Sequence, residues 1–327
     1  MLYSSIGERL PEVSALSLGS WNTFSRLTEE QCAELLRRAV DGGINLFDIG
    51  YYWDKPDTEH AFAAAVRIAG LKREDYLLAL KLWLWNYPRE SFATQAKASM
   101  LRLGVEQVEL VMVSRPTPGI EFEAFCDEID ALVQSGIARG WGATNWEAAQ
   151  VEQARRHLRG RSQPQLVQLQ YNVARRDVVE GADYQQLFAE RTPALCAAFT
   201  LEGGILAGHL DRDRVDPSGF ARGDRPRERN IARDAGGVRT QIRALQPRLA
   251  SIAADFAATP AQLAIAFTLT NPATATALIG VTRPEDLQEN LAALDLLERR
   301  AQWLPLLDEL RVAGVSHPRL FDPVKHE

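Results

Sequence analysis

No apolar run in this chain approaches the roughly eighteen residues that a membrane-spanning helix needs, so no membrane span is expected. Cysteine is scarce too: Cys32, Cys126 and Cys196 lie far apart, with no CxxC and no histidine at ligand spacing. Neither a disulfide framework nor a zinc site is expected, and no metal is assigned. Basic residues are outnumbered, 37 Lys and Arg against 43 Asp and Glu, which argues against a nucleic-acid partner, since that surface needs a basic stripe. The Arg-rich stretch from Arg212 to Arg233 is interleaved with carboxylates and reads as a solvated loop. A glycine-rich GxGxxG phosphate loop is also missing. The N-terminus places Glu8 before any sustained apolar segment and lacks the basic start of a secretory signal, so a cytoplasmic location is expected.

What is present is an alternation. Short apolar runs, ALSLG (15–19), INLFD (44–48), YLLAL (76–80), VELVMV (108–113), ARGWGA (138–143), LVQLQ (166–170), ALCAAF (194–199) and ATALIG (275–280), read as strands. Most are continuously apolar, as strands covered on both faces should be. Between them lie amphipathic stretches such as Cys32, Leu35, Leu36 and Val40, with Thr28 and Gln31 as a capping box and Gly42–Gly43 as a stop. Strands that alternate with helices eight times over predict a (β/α)8 TIM barrel, one unit over residues 1–327. Residues 211–237 form the one long irregular stretch; in a barrel they follow the seventh strand on the face where active sites are built, which suits a lid.

Several segments resemble one known family. GGINLFDIGYYWDKPDTEHAF (42–62) is similar to the aldo-keto reductase segment GINFFDTAxxYGxxxSE. LSLGSW (16–21), LALKLW (78–83), LVMVSRP (110–116), GWGATNW (140–146), VQLQYN (167–172), GGILAG (203–208) and IGVTRPEDLQEN (279–290) follow in the family's order. The resemblance implies the same barrel. It also implies a catalytic group of Tyr, Lys, Asp and usually His, in which tyrosine donates the proton, lysine raises its acidity, aspartate pairs with lysine and histidine orients the carbonyl. Asp48 and Lys81 fall at the family's positions. The other two depart: Trp53 stands at the tyrosine position, and its indole N–H does not give up a proton near neutral pH, while Ser114 stands at the histidine position. Tyr52 is the nearest substitute donor, with Tyr51 beside it.

The resemblance further implies a nicotinamide coenzyme. Thr144, Asn145 and Gln168 match the residues that hold its carboxamide and keep the donors and acceptors an amide requires. The ring that stacks on it is replaced by Ala198, with Phe199 one position on. Gly280, Thr282, Arg283, Glu289 and Asn290 match the adenosine end. Arg283 and Thr282 favour NADP(H) through a 2′-phosphate, with NAD(H) as the alternative because Asp286 would repel that phosphate. Trp21, Trp53, Trp83 and Trp85 fall at or just past strand ends and, with Tyr51, suggest a pocket for a hydrophobic or aromatic small molecule. The leading expectation is an NADP-dependent reductase of a carbonyl, imine or conjugated bond. The alternatives are a non-redox enzyme on the same barrel (dehydratase, isomerase or cyclase) and a nucleotide-binding protein without turnover. Substrate and oligomeric state are not legible at this level.

Overall fold

A computed structural model of the chain describes residues 1–7, 10–21, 23–24, 27–52, 57–190, 192–210, 238–281 and 283–315. Trp53, Thr282 and the lid expected at 211–237 lie outside the described residues. Eight parallel strands close into a barrel in which β3 (Leu16–Gly19), β4 (Leu46–Ile49), β5 (Leu77–Leu82), β6 (Val108–Ser114), β7 (Ala138–Thr144), β8 (Pro164–Gln170), β9 (Ala194–Ala198) and β10 (Thr274–Ile279) follow in chain order and β10 pairs back to β3. Every strand expected from the sequence is present, its ends shifted by three residues or fewer. Helices α1 (Glu29–Asp41), α2 (Thr58–Ala69), α3 (Phe92–Leu103), α4 (Phe122–Gln134), α5 (Ala148–His157) and α6 (Ala182–Phe188) connect successive strands, α7 (Val238–Asp255) and α8 (Pro260–Thr268) precede β10, and α9 (Pro284–Leu291) follows it. No single helix among the described residues is long and apolar enough to cross a membrane.

Local chemistry sets the boundaries. At the start of α1 the Thr28 hydroxyl accepts from the Gln31 amide at 3.3 Å and the Gln31 side chain accepts from the Thr28 amide at 3.0 Å, closing the expected capping box. The helix buries Cys32, Leu35 and Leu36 and stops at Gly42, followed by Gly43 at φ 85°, a backbone that favours glycine.

Along each strand, side chains alternate between two environments. Phe47, Ile49, Leu78, Leu80, Val111 and Val113 point outward into the layer shared with the helices. Leu46, Ala79, Leu110, Met112, Leu166 and Cys196 fill the barrel interior. Gly142 of β7 lies in register with Met112 of β6, and a Cβ there would sit 2.6 Å from the Met112 sulfur, so glycine makes room for the thioether.

A feature without a sequence signal is the N-terminal hairpin of β1 (Tyr3–Ser4) and β2 (Val13–Ser14). Ile6, Leu10 and Val13 join the interior cluster. Asn45, at the N-terminal end of β4, accepts from the Ser14 amide at 2.8 Å and donates to the Glu12 carbonyl at 2.8 Å. The hairpin therefore covers the N-terminal end of the barrel, opposite the end where the strands' C-termini lie.

Candidate active site

The inward positions near the C-terminal ends of four strands converge on one buried centre. Asp48 on β4 and Lys81 on β5 are an ion pair, with Lys81 Nζ 3.0 Å from Asp48 Oδ2 and each residue at most 6% exposed. Gln168 on β8 completes a triangle: Lys81 Nζ donates to its Oε1, and its Nε2 donates to Asp48 Oδ2 at 2.7 Å. Only this amide orientation satisfies both neighbours, because the reverse would set an NH2 against an ammonium and an oxygen against a carboxylate. Cys196 on β9 lies behind, its sulfur 3.7 Å from Gln168 Nε2. Burial, with the Asp48 charge adding to it, pushes that thiol up to about 12, so it stays a thiol. A buried ion pair is costly in desolvation, and any member left without a hydrogen bond adds to that cost. Here Asp48 Oδ1 is buried and has no partner among the described residues.

Around this centre the mouth of the barrel has two unlike halves. Strands β6, β7 and β8 supply the polar half. Ser114, half-buried at the end of β6, pairs in register with Thr144, and the buried Thr144 hydroxyl has no hydrogen-bond partner among the described residues. Asn145 follows with a half-buried side chain on a left-handed backbone, φ 58°, fixed by its amide donating to the Gln168 carbonyl at 2.9 Å. An unsatisfied hydroxyl beside a carboxamide suits a ligand that carries an amide of its own, and the group implied by the sequence fits.

The aromatic half comes from the segments after β9, β3, β4 and β5. Ala198 closes β9, and Phe199 turns at φ 58° so that its ring meets Trp21 at 5.5 Å. The Phe199 carbonyl accepts from Asn172 Nδ2 at 2.9 Å, and Asn172 also donates to the fully buried Glu202, which Arg175 clamps at 2.7 and 2.8 Å. Across the mouth, the Trp83 and Trp85 rings stack 4.6 Å apart at 7°, and the Tyr52 ring meets Trp83 at 5.7 Å. Tyr52 is buried, with its hydroxyl 3.5 Å from Ser20 Oγ. Tyr51 is exposed, and the Arg102 guanidinium lies over its ring at 4.6 Å.

At the edge of the face, Arg283 and Asp286 form a forked pair, with contacts of 2.5 and 3.1 Å. Asn290 is buried, while Gly280 and Glu289 are exposed. None of the described histidines moves into the place of Ser114: His60 is in α2, His157 ends α5 and His209 lies in the turn after β9.

Sequence reasoning missed Ser20, Gly50, Glu202 and Cys196. Gly50 and Ser20 sit inside the quoted segments, but nothing in their spacing marks them. Glu202 stands directly before the GGILAG segment with no pattern of its own.

The aldo/keto reductase family model matches residues 15–311. The chain belongs to this family. Among its relatives, a Schizosaccharomyces pombe protein named as a voltage-gated potassium channel subunit beta is 28% identical over 316 residues, 91% of this chain and 90% of that one. An Arabidopsis thaliana protein with the same kind of name is 28% identical over 314 residues, 91% and 92% of the two chains. Two solved aldo-keto reductase-type barrels share the fold. A thermostable aldo-keto reductase in complex with the inhibitor epalrestat has a TM-score of 0.70 at 23% identity, covering 95% of this chain and all (100%) of that one. A protein named as a 2,5-diketo-D-gluconic acid reductase B has a TM-score of 0.69 at 18% identity, covering 95% and 92%.

Proposed function

We propose that the protein is an NAD(P)H-dependent reductase that adds a hydride and a proton across a carbonyl, imine or conjugated bond of a hydrophobic or aromatic small molecule. The observation that carries this reading is the division of the barrel mouth, with a buried Asp48–Lys81–Gln168 centre flanked by an amide-matching half and an aromatic half. Thr144, Asn145 and Gln168 would hold the carboxamide of a nicotinamide, and that ring supplies the hydride when bound. Phe199, packed on Trp21, is the ring that would stack on that nicotinamide.

On the protein's side the work is proton handling. Tyr52 is the donor, in place of the tyrosine that Trp53 displaces. Lys81 favours the phenolate that remains, and Asp48, 3.0 Å from its Nζ, holds the ammonium in place. Ser114 offers one hydroxyl to the acceptor atom where the family usually has an imidazole. Weaker polarisation suits an imine or a conjugated bond better than an isolated ketone. The aromatic half, Trp83 and Trp85 included, excludes water and stacks the substrate.

Coenzyme choice rests on Arg283, Thr282, Glu289 and Asn290. With Asp286 already on the Arg283 fork, a 2′-phosphate has to compete with a carboxylate, so NAD(H) is accepted beside NADP(H). The names of the two relatives motivate a second reading, nucleotide held without turnover.

Titration with NADPH and NADH, followed by tryptophan quenching, tests the proposal. Micromolar binding that Thr144→Val weakens about tenfold supports it. Binding of neither nucleotide refutes it and directs the search to proton-transfer chemistry at the same centre.

A further inference from the structure

The Tyr52 phenol borders the stem of Lys81 at a space that only glycine leaves open. The Gly50 backbone is not left-handed, so conformation does not require glycine there. Space does: a Cβ on Gly50 would lie 3.0 Å from Lys81 Cγ and 3.0 Å from both Cζ and the hydroxyl of Tyr52. The phenol and the lysine stem thus border the same point. Two further contacts hold the phenol there. Trp83, two residues beyond Lys81, donates its indole N–H to the Tyr51 carbonyl at 2.9 Å and packs its ring on Tyr52, tying the loop to the strand that carries the lysine. Ser20, fully buried on the segment after β3, accepts the Gly50 amide at 3.0 Å, and its backbone amide donates to the Asp48 carbonyl at 2.9 Å.

The Gly50 amide occupies one lone pair of Ser20 Oγ, and once the phenol ionises the Ser20 hydroxyl is the donor of the pair, because a phenolate can only accept. At 3.5 Å that contact is long for an O–H···O bond between neutral groups. A phenolate draws such a donor in, because charge-assisted bonds of this type close to about 2.5–2.7 Å. The contact therefore stabilises the ionised phenol more than the neutral one. We infer that Ser20, Gly50 and Trp83 are positioning residues that set the Tyr52 phenol beside Lys81 and lower the cost of its ionisation. The inference rests on the reading of Tyr52 as proton donor, but its test needs neither nucleotide nor substrate.

Among the described residues, the titratable groups on this side of the barrel are Lys81 on β5 and Asp48 on β4, with Cys196 of β9 behind Gln168 and the Glu59–Arg102 pair of α2 and α3 on the Tyr51 side. The test is an absorbance titration of tyrosine ionisation near 295 nm on the full chain. Burial pushes Tyr76, Tyr171 and Tyr184 up and Tyr87 up to about 12, so a phenol that ionises early stands apart. We expect one early phenol in the wild type, absent in Tyr52→Phe. It should move up by about one pH unit, tenfold in its ionisation constant, in Ser20→Ala and be restored in Ser20→Thr. Gly50→Ala, if it folds, moves it in the same direction, and Trp83→Phe provides an independent variant if it does not. Identical titrations of wild type and Tyr52→Phe, or an early phenol unchanged in folded Ser20→Ala and Trp83→Phe, overturn the inference.

Discussion

Replacing Lys81 by methionine should test the buried centre most severely, because it leaves a carboxylate in the barrel without its counter-ion. At the 3.0 Å separation of Nζ and Oδ2, the attraction is roughly 5–6 kcal/mol for an effective dielectric of about 20. Part of that offsets the desolvation of the two ions. After the change, Asp48 Oδ2 keeps only the Gln168 N–H, and Oδ1 still has no partner among the described residues. Breaking one side of a buried pair costs about 3–5 kcal/mol, a large share of the roughly 5–15 kcal/mol by which a typical domain is stable. Asp48→Asn/Lys81→Met removes both charges and should recover about 2 kcal/mol or more of that loss. Urea denaturation followed by circular dichroism, with the two single variants and the double variant in one cycle, measures this directly. A Lys81→Met loss below about 1 kcal/mol, or a double variant no more stable than Lys81→Met, would refute the reasoning. Turnover of Lys81→Met is interpretable only at temperatures where the variant remains folded.

Two other expectations concern groups away from the centre. Asp286→Asn removes the carboxylate on the Arg283 fork, so NADPH affinity should rise about tenfold with NADH affinity unchanged, read by direct titration; an unchanged ratio counts against the competition. Glu59 is fully buried against Arg102, and burial raises its carboxyl above the free value of 4.5. A group raised in the folded state contributes stability that is present below its unfolded value and lost as pH rises through the folded one. Glu59→Gln should thus gain on the wild type as pH climbs from 4.5 toward neutrality, and a stability difference constant across that range would show that Glu59 does not titrate as its burial requires.

What could be read in advance followed from local physics. Continuous apolar runs such as VELVMV and LVQLQ, split by amphipathic stretches with caps as clear as Thr28 and Gln31, determine strands and helices, and their alternation determines a barrel. Asp48 and Lys81 were legible through the family resemblance, which places both at the ends of apolar strands. Tertiary structure alone decided which partners they share. Gln168 lies 120 residues from Asp48, and its amide joins the ion pair only because barrel closure brings β8 across from β4. The hairpin at the barrel base has two-residue strands, too short for any periodicity to show. Phe199 meets Trp21 through a left-handed turn whose carbonyl accepts from Asn172, a contact between separate strand ends. Gly50 reads as an ordinary glycine until Lys81 and Tyr52 converge on the space its side chain would fill. The sequence determines element types through the spacing of neighbours; the chemistry of the mouth depends on distances between residues that only the closed barrel brings together.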